Sequence, residues 1–220
     1  MRALRARRPR LVAVAIAGVI ALPPPGLASA PSDDADPWQL LARLRRELAT
    51  GSPLAGDFVQ TFTPAGFTTG ETESGHVSLS MPDCLRWDYL EPYRKSYLVC
   101  GSRAWSWVEA EPRGQRITID PDEEMGLDLL LLPAEELAAR YRARVEAGTD
   151  GEIELALEPI DPESPLVAAN LTVAAGGDRP AALDYRDREG NVTGFRFSNW
   201  RRLEDGESFA PPAGVEWTEP

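Results

Sequence analysis

The stretch from Met81 to Cys100, MPDCLRWDYLEPYRKSYLVC, constrains the fold more than any other part of the chain. Two strand-forming arms flank Pro92. Pairing them about that proline sets Leu85 opposite Val99, Trp87 opposite Tyr97 and Tyr89 opposite Lys95. Side chains alternate faces along a strand, so these residues share one largely apolar face. The other face carries Arg86 and Asp88 against Leu98 and Ser96, with Cys84 opposite Cys100. The expected sheet therefore has an apolar, aromatic side and a wetter side. Cys84 and Cys100 are the only two cysteines. A cross-strand pair lies within disulfide reach, and closing a loop of about 15 residues contributes ~3 kcal/mol in the entropic view. Two unpaired buried thiols are the alternative, and neither arrangement is catalytic.

Arg2, Arg5, Arg7, Arg8 and Arg10 precede an apolar run from Leu11 to Leu22, and Leu27-Ala28-Ser29-Ala30 supplies small residues in an A-x-A arrangement. This pattern predicts a secretory signal peptide over residues 1–30. The apolar run is shorter than the roughly 20 residues of a membrane-spanning helix. Pro9 and Arg10 after Arg7-Arg8 depart from the twin-arginine pattern, which favours the general secretory route. No cysteine stands near the cleavage point, so no lipid is attached there. The mature chain is expected free in the periplasm of a double-membrane bacterium, where a disulfide can persist. Five of the 23 basic residues and none of the 35 acidic ones lie in this leader, which leaves 18 against 35 and a mature net charge of −17. Such a chain is repelled by nucleic acid and by anionic lipid surfaces. The expected molecule is a monomer with no nucleic-acid partner.

Residues 31–36 read as a disordered mature start, and 37–220 as one domain. Asp36-Pro37 is a helix entry, with Asp as N-cap and Pro at the first helical position. Trp38, Leu41, Leu44 and Leu48 recur at helical spacing, and Gly51 and Pro53 end the run. Strand signals follow. Phe58 and Phe62 share a face across Gln60, and Val77, Leu79 and Met81 share another. After the hairpin come residues 103–108, 115–119, 152–157, 165–174, 182–186 and 192–197. The last two are joined by the hairpin turn Asp187-Arg188-Glu189-Gly190-Asn191. The fold class read from this is mainly β, one antiparallel sheet strongly curved or nearly closed. The interruption is the region 121–147, where Leu127, Leu129, Leu130, Leu131 and Leu132 precede Pro133 and AEELAARY. Leucine favours helix over exposed strand, so two short helices are expected over the concave face, one before Pro133 and one beyond it.

Catalytic signatures are weak. His76, the one histidine, stands on the polar face of a strand, and no nucleophile elbow, Walker loop or dinucleotide fingerprint is present. The acidic clusters at 33–36, 120–124 and 161–163 do not have the spacing of a calcium loop. One histidine and two spaced cysteines cannot make a structural zinc site. Neither enzyme activity nor a cofactor is expected. What remains is apolar surface: Trp105 and Trp107 add to the hairpin aromatics, beside the leucine-rich cover. Such an arrangement is either a filled core or a cavity for an acyl chain, where each buried CH2 is worth ~0.8 kcal/mol.

The hairpin (proline, Arg86-Trp87, a tyrosine, a proline, then a strand ending at Gly101), its continuation to Gln115, the FxQxF-like opening after the helix, and the tail FAPPAGV (209–215) resemble the outer-membrane lipoprotein carrier family, the LolA type. The resemblance implies an incomplete β-barrel with a helical lid. It also implies a periplasmic chaperone that accepts acylated lipoproteins from an inner-membrane ABC transporter and passes them to an outer-membrane acceptor. Its cavity would be lined by Leu79, Met81, Leu85, Trp87, Tyr89, Tyr97 and Val99, with Trp105, Trp107 and the lid leucines. Leu85 stands where the family has a cavity aromatic, and Trp87 and Pro82 match. Met81 departs, because enterobacterial members carry there an arginine that hydrogen-bonds the lid, and a methionine cannot donate. The same fold also suits a periplasmic lipid or glycolipid shuttle, or an envelope sensor domain.

Overall fold

The computed structural model describes residues 36–119, 129, 132–203 and 209–219. The expected leader, the start of the mature chain up to residue 35, and Leu127, Leu130 and Leu131 lie outside them, as does most of the helix expected before Pro133.

Helix α1 (Pro37–Gly51) begins as the sequence implies. The Asp36 carboxylate accepts from the backbone N–H of Trp38 at 2.9 Å and of Gln39, and Pro37 occupies the first turn, where its missing N–H costs nothing. Leu41, Leu44 and Leu48 are buried on one face. The chain then runs through β1 (Leu54–Thr63), β2 (Glu71–Ser80), β3 (Cys84–Glu91), β4 (Lys95–Cys100), β5 (Arg103–Val108) and β6 (Arg113–Thr118). A short helix α2 (Ala134–Arg140) passes directly into β7 (Tyr141–Ala147), followed by β8 (Ile153–Pro159), β9 (Leu166–Val173), β10 (Pro180–Asp187), β11 (Val192–Arg202) and β12 (Glu216–Thr218).

Among the described residues these strands form a single twelve-stranded sheet in the order β12-β6-β5-β4-β3-β2-β1-β11-β10-β9-β8-β7. β1 to β6 pair in sequence as antiparallel neighbours, as do β7 to β11, and β1 joins the two halves by pairing with both β2 and β11. The expected hairpin register is observed at every pair, from Cys84 opposite Cys100 to Tyr89 opposite Lys95. Two features were not foreseen. β7 occupies residues assigned to a helical segment, and β12 returns to the far edge and pairs with β6 in parallel.

The concave face carries the core. Leu54, Val77, Leu79, Leu85 and Trp87 meet Leu41, Leu44 and Leu48 of α1 and Leu137 of α2 in one cluster, which Leu155, Leu171 and Leu183 extend across the sheet. Leu129 is buried in the same cluster, and Leu132 is packed against it, so part of the expected leucine cover is in place. Both helices thus lie down on the sheet. At the C-terminal end of α1, the Ser52 hydroxyl accepts from the Met81 N–H at 3.0 Å, tying the helix to the end of β2.

The convex face of the hairpin is drier than its composition suggests. Leu98 is 0% exposed. Its register neighbours are Arg86 and Trp105, and the Arg86 guanidinium lies 5.5 Å from the Trp107 ring centre. The C-terminal segment also reaches this side. Trp217 meets Trp107 edge to face at 6.1 Å, and the Phe209 carbonyl lies 3.8 Å from Cys100 Sγ.

Candidate functional site

Cross-strand rows on the concave face show where volume is left over. One row reads Leu54, Leu79, Leu85, Val99, Ala104, Ile117, and the next reads Gly56, Val77, Trp87, Tyr97, Ser106, Gln115. The first steps from leucines under the helices to Ala104 on β5, and the second from Trp87 and Tyr97 to Ser106. Beyond the reach of the helical leucines, Ala104 and Ser106 do not fill the space, and a cavity of about 350 Å³ opens there. Trp87, Tyr89, Tyr97 and Val99 form one wall, while Gln60, Tyr185 and Phe195 form another. Residues from β3–β6 face residues of β10 and β11 because the sheet curls round on itself. Tyr97 is 39% exposed, so the cavity is reached from solvent on that side. A second, more polar depression of about 380 Å³ shares Tyr97, Ser106 and Gln115 with it and is bordered also by Lys95, Trp107, Glu111 and Arg113.

The floor is an aromatic cluster. Phe58 meets Trp87 edge to face at 4.8 Å and Tyr89 at 4.9 Å, and Trp87 approaches Phe195 at 4.9 Å. Such contacts add about 0.5–1.5 kcal/mol each beyond area burial. The floor is therefore held in place by its own packing. Polar atoms are few and placed at particular points. The Tyr89 hydroxyl donates to Gln60 Oε1. Lys95 lies 4.6 Å above the Tyr89 ring centre and pairs with Glu73 at 2.8 Å, a cation–π contact whose charge is already neutralised. Burial first, and the negative charge of Glu73 next, push the Tyr89 hydroxyl far above its ordinary range. Burial likewise raises that of Tyr185, partly offset by its hydrogen bond with Thr193. Trp87 Nε1 is buried with no acceptor among the described residues, a state that costs about 1–3 kcal/mol.

The expected site residues divide into groups. Trp87, Tyr89, Tyr97 and Val99 line the cavity. Leu79, Met81 and Leu85 are buried in the core, on the part of the sheet where the helices pack. Trp105 borders the cavity between Ala104 and Ser106, but its register partners Leu98 and Arg116 place it on the convex parity. Trp107 lies off this cavity: it pairs with Ser96 and Gly114, packs against Arg86 and Trp217, and borders the polar depression next to it. Tyr97 lies opposite Ser106, which sets both flanking tryptophans on the opposite parity of β5. Gln60, Tyr185, Phe195, Ser106, Gln115 and Ile117 were not among the expected residues. The alternation of Phe58, Gln60 and Phe62 was the available signal for the first of them.

Cys84 and Cys100 form a disulfide with their Cα atoms 4.2 Å apart, so the cross-linked alternative holds and the bond lies outside the cavity. His76 Nδ1 lies 2.7 Å from Asp57 Oδ1, and the second oxygen of that carboxylate accepts from Asn199 Nδ2 at 2.7 Å. Those hydrogen bonds, that of Asn199 foremost, hold the Asp57 carboxyl below its ordinary range. The His76–Asp57 pair is exposed, and His76 lines none of the described cavities.

A family model described as outer membrane lipoprotein carrier protein LolA matches residues 50–208. A protein of Xanthomonas oryzae pv. oryzae (strain MAFF 311018) described as an outer-membrane lipoprotein carrier protein is 30% identical over 189 residues, covering 80% of this chain and 88% of that protein. One of the same description from Chromobacterium violaceum is 28% identical over 215 residues, 94% of this chain and 95% of the relative. Among solved structures, an uncharacterized conserved protein from Thermus thermophilus superposes with a TM-score of 0.53 at 12% identity, over 83% of this chain and 98% of that one. That likeness is one of fold.

Proposed function

The chain belongs to the outer-membrane lipoprotein carrier (LolA) family, and on that footing we propose that it is a periplasmic chaperone which shields the acyl chains of lipoproteins in its concave cavity and carries them from the inner to the outer membrane. The observation that supports this most is an aromatic-floored cavity of about 350 Å³ left open beside a sheet otherwise filled by helical leucines. At about 30 Å³ per water-sized unit, that volume takes on the order of a dozen methylenes. Part of one acyl chain fits with α1 and α2 lying on the sheet. Further chains enter as the helices lift and their leucines leave the space they fill. Loading and release are then a population shift between a self-filled and a cargo-filled state, and no bond is made or broken. Residues 1–30 direct export, and 37–220 act as one carrier domain.

Lid control in this chain rests on packing. Met81 is buried, and its backbone N–H donates to the Ser52 hydroxyl at the end of α1. The partners are the inner-membrane ABC transporter that loads the chaperone and the outer-membrane acceptor that unloads it. The test is release of an acylated lipoprotein from inner-membrane vesicles by the purified mature protein with ATP. A soluble one-to-one complex that requires the acyl chains supports the reading. Absence of release by folded protein refutes it, and free lipid carried in place of lipoprotein would identify a shuttle.

A further inference from the structure

We propose that the polar depression beside the cavity holds the first residues of the cargo polypeptide, those next to its acylated end, and that it favours neutral or basic residues there over acidic ones; this rests on the carrier reading and names the second half of its ligand. An acyl chain lying in the cavity is covalently joined to a polypeptide, which has to leave by an open side. Tyr97, 39% exposed, marks that side. The depression shares Tyr97, Ser106 and Gln115 with the cavity, so the polar end of a chain that reaches Ser106 and Gln115 already lies at its wall. Its volume of about 380 Å³ takes on the order of a dozen non-hydrogen atoms at about 30 Å³ each, roughly two small residues. The Ser106 hydroxyl and the Gln115 amide each offer both a donor and an acceptor, as a peptide group requires.

Charge selects among possible occupants. Two cations border the depression, and each already has a carboxylate: Lys95 pairs with Glu73 at 2.8 Å, and Arg113 lies 3.4 Å from Glu216. Glu111 is different. It stands exposed in the turn between β5 and β6, where its backbone N–H donates to the Val108 carbonyl at 3.2 Å. Its carboxylate has no hydrogen bond or ion pair among the described residues. The border therefore carries one unmatched negative charge. A phosphate head group or an acidic side chain meets repulsion there, whereas a neutral residue is tolerated and a lysine is attracted.

The experiment uses N-palmitoyl tripeptide amides with the sequences Ser-Lys-Ser, Ser-Ser-Ser and Ser-Asp-Ser, and N-methyl palmitamide as a probe with no peptide. Each displaces a bound apolar fluorescent dye from the mature protein, below its aggregation limit and at low salt. The expected result is a preference for the lysine peptide over the aspartate peptide of about three- to tenfold, the worth of one exposed charge pair that changes sign, and it should shrink as salt is raised. Glu111→Gln should bring that ratio close to one, and Glu111→Lys should reverse it. Glu154→Lys, which makes the same charge change on β8 outside the cavity and the depression, should keep the wild-type ratio. Equal affinity of the wild-type protein for the three peptides, a ratio that survives both Glu111 substitutions, or a ratio that Glu154→Lys moves as far as Glu111→Lys overturns the assignment and leaves the carrier reading intact. If folded wild-type protein binds none of the probes, N-methyl palmitamide included, the carrier reading fails and the assignment fails with it.

Discussion

Phe58 and Tyr89 stand two strands apart, yet their rings meet edge to face at 4.9 Å because the residue between them in register is Gly75. With no side chain at that inward position, the aromatic floor of the cavity closes over β2. The register also shifts between Ser74 and Gly75, and a Cβ added at Gly75 would lie 2.0 Å from the Asp88 carbonyl oxygen, a backbone atom that cannot swing aside.

Gly75→Ala should therefore destabilise the fold by about 1–3 kcal/mol or more, the range for forced backbone shifts in a packed region. Urea unfolding read by tryptophan fluorescence measures it. A midpoint equal to wild type would show that β2 yields at this point and that the aromatic floor does not depend on the glycine.

The Cys84–Cys100 bond joins residues 16 apart in the chain, one at the start of β3 and one at the end of β4. Removing it with Cys84→Ser/Cys100→Ser should cost about 2–4 kcal/mol and lower Tm. Because the bond lies on the convex face, probe binding in the cavity at a temperature where the variant stays folded should be nearly unchanged. Loss of binding in a folded double variant would mean that the bond shapes the cavity.

Leu137 of α2 is wholly buried against the sheet. Leu137→Ala should cost about 2–5 kcal/mol and, by weakening the self-filled state, should raise the affinity for an apolar dye. Calorimetric Tm and dye titration together test this. Dye affinity that falls along with stability would show that the helices do not compete with the ligand.

Buried Tyr89 and Tyr185 both hold their protons above the ordinary tyrosine value of 10.0. Above that pH the unfolded chain releases protons that the native state keeps. The native state then binds more protons, and stability falls as pH rises. The urea midpoint should fall as pH rises from about 10 upward, and less steeply in Tyr89→Phe. Identical slopes in the two proteins would contradict the burial assigned to this hydroxyl.

The hairpin was legible because twenty contiguous residues carry two aromatic arms about a proline, so its register followed from alternation alone. The start of α1 was legible from a cap and a proline at adjacent positions. β7 was missed because the helical run AEELAAR enters it without a glycine or proline, although Tyr141, Ala143 and Val145 alternate with Arg142, Arg144 and Glu146. Trp105 and Trp107 were assigned to the cavity by composition. Carrying the parity one strand further, from Val99 to Ala104, sets them on the opposite parity of β5, although Trp105 still borders the cavity and Trp107 the polar depression. The far wall, Tyr185 and Phe195, comes from the curl of the sheet, which brings together strands distant in sequence and leaves no local pattern.

The central claim, that cargo acyl chains occupy the concave cavity, is tested most directly by placing a photo-crosslinking benzoyl-phenylalanine at Tyr97 or at Phe67. Each variant is irradiated during release of a palmitate-labelled lipoprotein from inner-membrane vesicles. The expected result is a labelled adduct from position 97, which borders the cavity, and none from position 67, which is 69% exposed and lines none of the described cavities. An adduct from 67 as strong as that from 97, or from 67 alone, would place the cargo elsewhere and contradict the claim.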